Sequence, residues 1–166
     1  MREKDGEPLE LTFVYNTRWP EIPSVVELMA EQWEAVGVRT VLEGSGFAAY
    51  SERIAQKNAS QGFDVLWQSA NYSVPSVLTA FIAGPTPPTG NNFSAIVNPE
   101  FDALVAESAN FTGTEACGVW EQAETELYAS ADYVPFAMRP DITYAQGVEA
   151  AFSNILMAPS FTLAQD

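Results

Sequence analysis

The amino-acid sequence predicts an α/β protein built on a βαβαβ parallel sheet flanked by helices. Three β-rich runs, residues 9–15, 38–43 and 63–67, alternate with two segments of helical apolar spacing. The connections hold little besides those helices, an arrangement that winds a sheet in parallel. With 166 residues and 47% hydrophobic content, the chain suffices for one ordinary core, and a single domain over 1–166 is expected.

Residues 9–15 alternate loosely between apolar and polar, follow Gly6 and Pro8, and run into the loop Asn16-Thr17-Arg18-Trp19-Pro20. The next element is a helix whose start carries the capping-box spacing Ser24-Val25-Val26-Glu27. Val25, Leu28, Met29, Trp33 and Val36 recur along one face of it, and Gly37 stands where a C-terminal cap belongs. After the strand 38–43, Gly44-Ser45-Gly46 turns the chain into a second helix with Phe47, Tyr50 and Ile54 on one face. The third strand lies in Gly62-Phe63-Asp64-Val65-Leu66-Trp67-Gln68-Ser69-Ala70-Asn71-Tyr72-Ser73-Val74-Pro75. There an apolar run opened by Asp64 stops abruptly in polar, aromatic and turn-forming residues.

Residues 76–83 suit a short helix, and 84–92, rich in Gly, Pro and Asn, form a stiff loop beyond which the elements look too few for a second core. Asn98-Pro99-Glu100 reads as an N-cap, a proline at the first helical position and an acid in the first turn, with Phe101, Leu104 and Val105 facing inward. A longer helix is expected over 114–131. Ala116, Val119, Ala123, Leu127 and Ala131 form its apolar stripe, and Glu115, Glu121, Glu124 and Glu126 form a solvated surface. Residues 133–138 and 142–145 are the last strand candidates, Pro135 confining the former to an edge or to a crossing between lobes. From 147 to 166 the pattern dissolves, and irregular chain is expected.

The charge is lopsided, 22 Asp and Glu against 7 Lys and Arg. Nucleic acid is therefore excluded as an expected partner, because phosphate neutralisation needs clustered cations. No apolar run approaches the roughly 18 residues of a membrane-spanning helix, and no export signal is expected in the chain as given. Cys117 stands alone, so no intramolecular disulfide can form, and it is expected to pack on a helix.

The sequence contains no histidine, which removes imidazole acid/base steps and His-ligated metals. There is no Gly-x-Ser-x-Gly elbow and no phosphate loop with its lysine, and the acids scatter over helix faces rather than converging loops. No enzymatic activity, cofactor or metal is expected. Glu43, at the end of the second strand, either meets a cationic ligand group or is a solvated strand end.

In an open α/β sheet, ligands gather outside the carboxyl ends of the strands. The predicted topology brings three loops to that edge: 16–19, 44–47 and 68–73. They offer Tyr15, Asn16, Arg18, Trp19, Phe47, Trp67, Gln68, Asn71 and Tyr72, a mixture that holds an organic solute by stacking and hydrogen bonds. The alternative for Trp19, Phe47 and Trp67 is that they close the top of the core.

Several stretches resemble the carboxy-terminal lobe of the family 5 extracellular solute-binding proteins, the peptide-, oligopeptide- and nickel-type receptors of bacterial ABC importers. They are Leu9-Glu10-Leu11-Thr12-Phe13-Val14-Tyr15-Asn16-Thr17, Gln32-Trp33-Glu34-Ala35-Val36-Gly37-Val38, Phe63-Asp64-Val65-Leu66, and the stretch from Asn91-Asn92-Phe93-Ser94 through Asn98-Pro99-Glu100-Phe101-Asp102-Ala103-Leu104-Val105. Val134-Pro135 after the long helix also fits, so the resemblance runs from about residue 6 to 145 in order and spacing. It implies one lobe of a type II periplasmic-binding-protein-like fold, and a two-lobed clamp that closes on a solute and docks onto a permease outside the cytoplasmic membrane.

The resemblance further implies that the loop after Trp67 contributes ligand contacts. The residues singled out as ligand-binding are Trp67, Gln68, Asn71, Tyr72, Asn16, Trp19 and Phe47. Family members often carry Ala-Asp-Tyr in that loop, the Asp holding a ligand ammonium in peptide binders; here Ala70-Asn71-Tyr72 supplies an amide instead. The implied partners are a small peptide-like solute, an N-terminal lobe outside this chain and an ABC permease. Two rival expectations are a stand-alone protein-interaction domain and a hydrolase using Glu43 or Asp64.

Overall fold

The computed structural model describes residues 1–56, 62–69, 75–137, 146–151 and 160–163. The chain opens with a hairpin, β1 (Glu3–Lys4) paired to β2 (Glu7–Pro8), turned by Asp5 and Gly6 at φ 56° and 85°. Asp-Gly is a strong local hairpin signal, but the flanking residues lack the alternation that marks strands.

A parallel sheet follows, in the order β4 (Arg39–Ser45), β3 (Glu10–Asn16), β5 (Val65–Leu66). The expected βαβαβ core is present, with α1 (Glu21–Ala35) and α2 (Phe47–Ala55) as the crossovers. β3 and β4 pair without interruption from Glu10 opposite Arg39 to Asn16 opposite Ser45. β5 is only two residues long, yet its ladder extends at both ends. The Asp64 N–H donates to the Thr12 carbonyl at 2.9 Å, and the Trp67 N–H donates to the Val14 carbonyl at 2.9 Å. The Asp64 carboxylate also accepts the Thr12 N–H at 2.7 Å, so the acid that opens this run acts as a side-chain rung of the sheet.

Successive β3 side chains point to opposite faces. Phe13 and Tyr15 pack with Ile22 and Val26 of α1, whereas Val14 packs with Tyr50 and Ile54 of α2 and with Phe63. Burial on both faces explains the continuous apolar run Phe13-Val14-Tyr15 in place of strict alternation. Phe13 and Val14, each 1% exposed, contribute about 1.5–3 kcal/mol apiece through removal from water. The Phe13 ring also stacks on Trp33 of α1 at 5.6 Å.

α1 begins at Glu21, ahead of the capping box expected at Ser24. Pro20 sets the entry with φ −63°, and Pro23 falls in the first turn, where a missing N–H costs nothing; Ser24 is thereby carried into the helix. The other end is as expected. Gly37, at φ 89°, donates to the Glu34 carbonyl and Val38 to that of Trp33, which closes the helix. A β-carbon at Gly37 would lie 2.8 Å from the Arg2 nitrogen, because the hairpin docks there through an Arg2 N–H bond to the Gly37 carbonyl. Gly44 meets a similar constraint: it sits opposite Tyr15, and a β-carbon would lie 2.5 Å from the tyrosine ring.

The second half is helical: α3 (Pro75–Leu78) running into a 3-10 turn at Thr79–Phe81, α4 (Pro99–Ser108), then a 3-10 turn at Gly113–Ala116 leading into α5 (Cys117–Ala129). Contrary to the expectation of too few elements, it builds an apolar cluster of its own around Ile82, Phe101, Ala123 and Leu127. Phe93 joins the two halves: it packs on the Val14 cluster, and its ring lies 6.0 Å from that of Phe81. The loop before it is fastened by Asn92, 1% exposed. Its amide donates to the carbonyls of Gly84 and Ile96, and its oxygen accepts the Ile96 N–H.

The expected N-cap is found, with Asn98 Oδ1 accepting the Phe101 N–H at 3.0 Å. Of the expected α5 stripe, Ala116, Val119, Ala123 and Leu127 are buried, but Ala131 lies past the helix end, exposed, at φ 58°. Cys117 is exposed, not packed, since it faces away from that stripe. Residues 133–137 form no strand, consistent with the donor that Pro135 lacks; 138 and 142–145 lie outside the described residues. Within 147–166, β6 (Val148–Ala151) pairs antiparallel with β7 (Ser160–Leu163), where irregular chain was expected. The two alanines of β6 are weak strand formers and hid it from pattern reading.

Candidate functional site

The three strands of the main sheet end together at Asn16, Ser45 and Leu66, so the parallel topology itself gathers the following loops along one rim. Asn16 stands opposite Ser45, the Thr17 N–H donates to the Ser45 carbonyl at 2.8 Å, and Trp67 follows β5 directly. Of the seven residues singled out from sequence, five belong to this rim: Asn16, Trp19, Phe47, Trp67 and Gln68. Asn71 and Tyr72 lie outside the described residues.

These five differ in what holds them. Asn16 is buried, and its Oδ1 accepts the Arg18 N–H at 3.3 Å, a local turn that shapes the first loop. Trp19 and Trp67 are half-buried and pack against the Phe13–Tyr15 cluster, so both close the core while leaving ring surface at the rim. Phe47, 52% exposed, closes nothing. Gln68 is half-buried.

Trp67 is the most firmly placed of the set. Its carbonyl accepts the Tyr50 hydroxyl at 2.7 Å, and its indole N–H donates to Ser69 Oγ at 3.2 Å. Its ring lies 5.5 Å from that of Phe136, at 58°. Phe136, 58% exposed, was missed by sequence reading; it follows a proline in a stretch without periodicity, and nothing local marks it. Burial also pushes the Tyr50 phenol well above its usual range.

Arg18 joins two of the loops. Its guanidinium carbon lies 5.1 Å from the Trp19 ring centroid and 5.2 Å from that of Phe47, the first residue of α2. The N-cap of α2 is Gly46, which supplies no side-chain cap, so the positive end of that helix adds to the local potential.

The acids considered for chemistry lie elsewhere or are occupied. Asp64 sits at the opposite end of its strand, bonded to Thr12. Glu43 pairs with Arg53 at 3.7 Å, and Arg53 also donates to the Gly62 carbonyl at 2.7 Å. Two hollows flank β4. One of about 780 Å³ lies against α1 beside Glu27, Glu31 and Arg39, and the other of about 430 Å³ against α2 beside Glu43 and Arg53. Neither is lined by any of the five rim residues. Among the described residues no group of His, Cys, Asp and Glu could hold a metal, and no helix is long and apolar enough to cross a membrane.

The sheet order, the two crossover helices and the shared rim give the chain the fold of one lobe of the periplasmic-binding-protein-like class, and solved structures of that class match it. One is NikA from Brucella suis, solved with Fe(III)-EDTA, at 20% identity and a TM-score of 0.63 over 80% of this chain. Another is the oligopeptide-binding protein AppA from Bacillus subtilis, solved with a nonapeptide, at 19% identity and a TM-score of 0.68 over 79%. A third is a substrate-binding protein from Microbacterium hydrocarbonoxydans complexed with 4-hydroxybenzoate hydrazide, at 16% identity and a TM-score of 0.65 over 95%. The chain spans 27%, 26% and 34% of the respective lengths of these proteins. No family model and no curated protein matches the sequence.

Proposed function

We propose that the chain is the substrate-binding lobe of a solute-binding protein serving a bacterial ABC importer, capturing a peptide or peptide-like compound for delivery to a permease. The observation that carries this reading is the convergence of Asn16, Trp19, Phe47, Trp67 and Gln68 at the carboxyl edge of a parallel sheet whose structural neighbours are binding proteins. Asn71 and Tyr72, which follow Gln68 closely in the sequence, complete the proposed contact set. The lobe acts outside the cytoplasmic membrane, paired with a second lobe that supplies the other jaw, and performs no catalysis.

An open rim supplies only half of the contacts that would bury a solute, so the lobe by itself binds weakly. Joining it to a companion lobe and titrating peptide libraries by calorimetry tests the reading. Saturable heat that vanishes on Trp67→Ala is expected; silence toward every peptide refutes it.

One observation favours a second reading, a surface for another protein. Phe136, 58% exposed, extends the apolar area of Trp67, and Val134 two residues before it is 73% exposed. In the lobe reading this area faces the companion lobe. A partner protein retained without any solute would favour the alternative.

A further inference from the structure

We propose that Arg18 is a ligand-binding residue that takes the carboxylate of an organic acid, an inference that rests on reading the rim as a solute site. The guanidinium lies over two rings supplied by two different loops, Trp19 at 5.1 Å and Phe47 at 5.2 Å. A cation–π contact uses none of the N–H groups of a guanidinium as hydrogen-bond donors to an oxygen, and that N–H fork matches a carboxylate bidentately. The loop that carries it is fixed by the bond from the Arg18 N–H to buried Asn16.

The charge distribution makes this arginine unusual. The chain carries 22 acids, and the other two arginines of the sheet layer each have a glutamate: Arg39 with Glu10 at 3.0 Å and Arg53 with Glu43 at 3.7 Å. Arg18 has no carboxylate partner among the described residues. It is instead held by aromatic rings at the edge of the sheet where ligands collect. A net charge of −15 repels anions from the surface as a whole. Capture of an acid therefore requires a prearranged local cation, and a monovalent carboxylate meets less of that repulsion than a divalent phosphate. Rings beside the fork accept either a peptide terminus or an aromatic acid, two sources of the same group.

The test is a set of NMR titrations of the ¹⁵N-labelled 166-residue chain, a method that reads weak binding. The probes are trialanine against trialanine amide, and 4-hydroxybenzoate against 4-hydroxybenzamide. In the unmodified chain at least one acid should bind about tenfold tighter than its amide and shift the Arg18 Nε–Hε signal. In Arg18→Gln that acid-over-amide preference should collapse toward unity. Arg18→Lys should restore only part of it, because an ammonium is not a fork. The indole signals of Trp19 and Trp67 report whether each variant is folded. Response of one pair alone assigns the source as peptide or aromatic acid. Acids and amides that bind equally, or a preference that survives Arg18→Gln, overturn the role of Arg18 and leave the solute site standing; no binding by any probe overturns both.

Discussion

Tyr50 donates its phenolic hydrogen to the carbonyl of Trp67 at 2.7 Å, tying α2 to the first rim residue beyond β5. The bond crosses from one face of the sheet to its carboxyl edge and fixes the third loop at its root. Tyr50→Phe keeps the ring in its core cluster but leaves that carbonyl without its partner. The expected cost is about 1–2 kcal/mol, read as a lower urea midpoint with an unchanged slope. A midpoint equal to that of the unmodified chain would show that the bond does not contribute.

The same hydroxyl sets a pH dependence. Burial raises the Tyr50 phenol above its ordinary 10.0, and burial raises Tyr133 as well. Because the folded pKa is the higher one, the unfolded chain releases the proton first. The stabilisation is fully present below the unfolded value and is lost as pH climbs through the folded one. Urea unfolding should thus show stability declining above about pH 10, and Tyr50→Phe should flatten the decline. Tyr128, pushed up to about 12 by burial and by its bond to Glu124, is more exposed and adds less.

Asn98 does two jobs with one side chain. Its oxygen caps α4 at Phe101, while its amide donates to Ser130 Oγ and to Asp132 Oδ2, both at 3.1 Å, beyond the end of α5. Asn98→Ala should cost about 2–3 kcal/mol, more than loss of a cap alone. Asn98→Asp keeps the cap but faces the Asp132 carboxylate without a donor, so Asn98→Asp paired with Asp132→Asn should recover part of the loss. Thermal unfolding of the three variants checks both expectations.

Ala131 follows the end of α5 at φ 58°, a conformation in which a β-carbon is crowded. Ala131→Gly removes the crowding and should raise stability by about 0.5–1 kcal/mol, the reverse of the usual effect of glycine. Differential scanning calorimetry that shows no gain would argue that the exposed turn relaxes by other means.

Much of the sheet half was legible because its periods are local. The run Phe13-Val14-Tyr15 marks a strand buried on both faces, and Gly37 marks the end of α1. Parallel topology then dictates that Asn16, Trp19, Phe47 and Trp67 share a rim. What stayed hidden depends on contacts between residues far apart in sequence, such as Phe136 on Trp67 and the Asn98 bridge to Asp132. The start of α1 was misplaced for a different reason: a capping-box pattern competed with two prolines, and the prolines prevailed. Arg18 was visible as a rim residue, but its seat over two rings was not, since the rings come from separate loops.

The apolar interior is divided between the sheet layer and the α4–α5 layer, with Phe93 packed at their junction. That division predicts that amides of α4 and α5 exchange with solvent through an opening that leaves β3 protected, which native-state hydrogen exchange would read. Motion in the α4–α5 layer then leaves the carboxyl ends of β3, β4 and β5 in place.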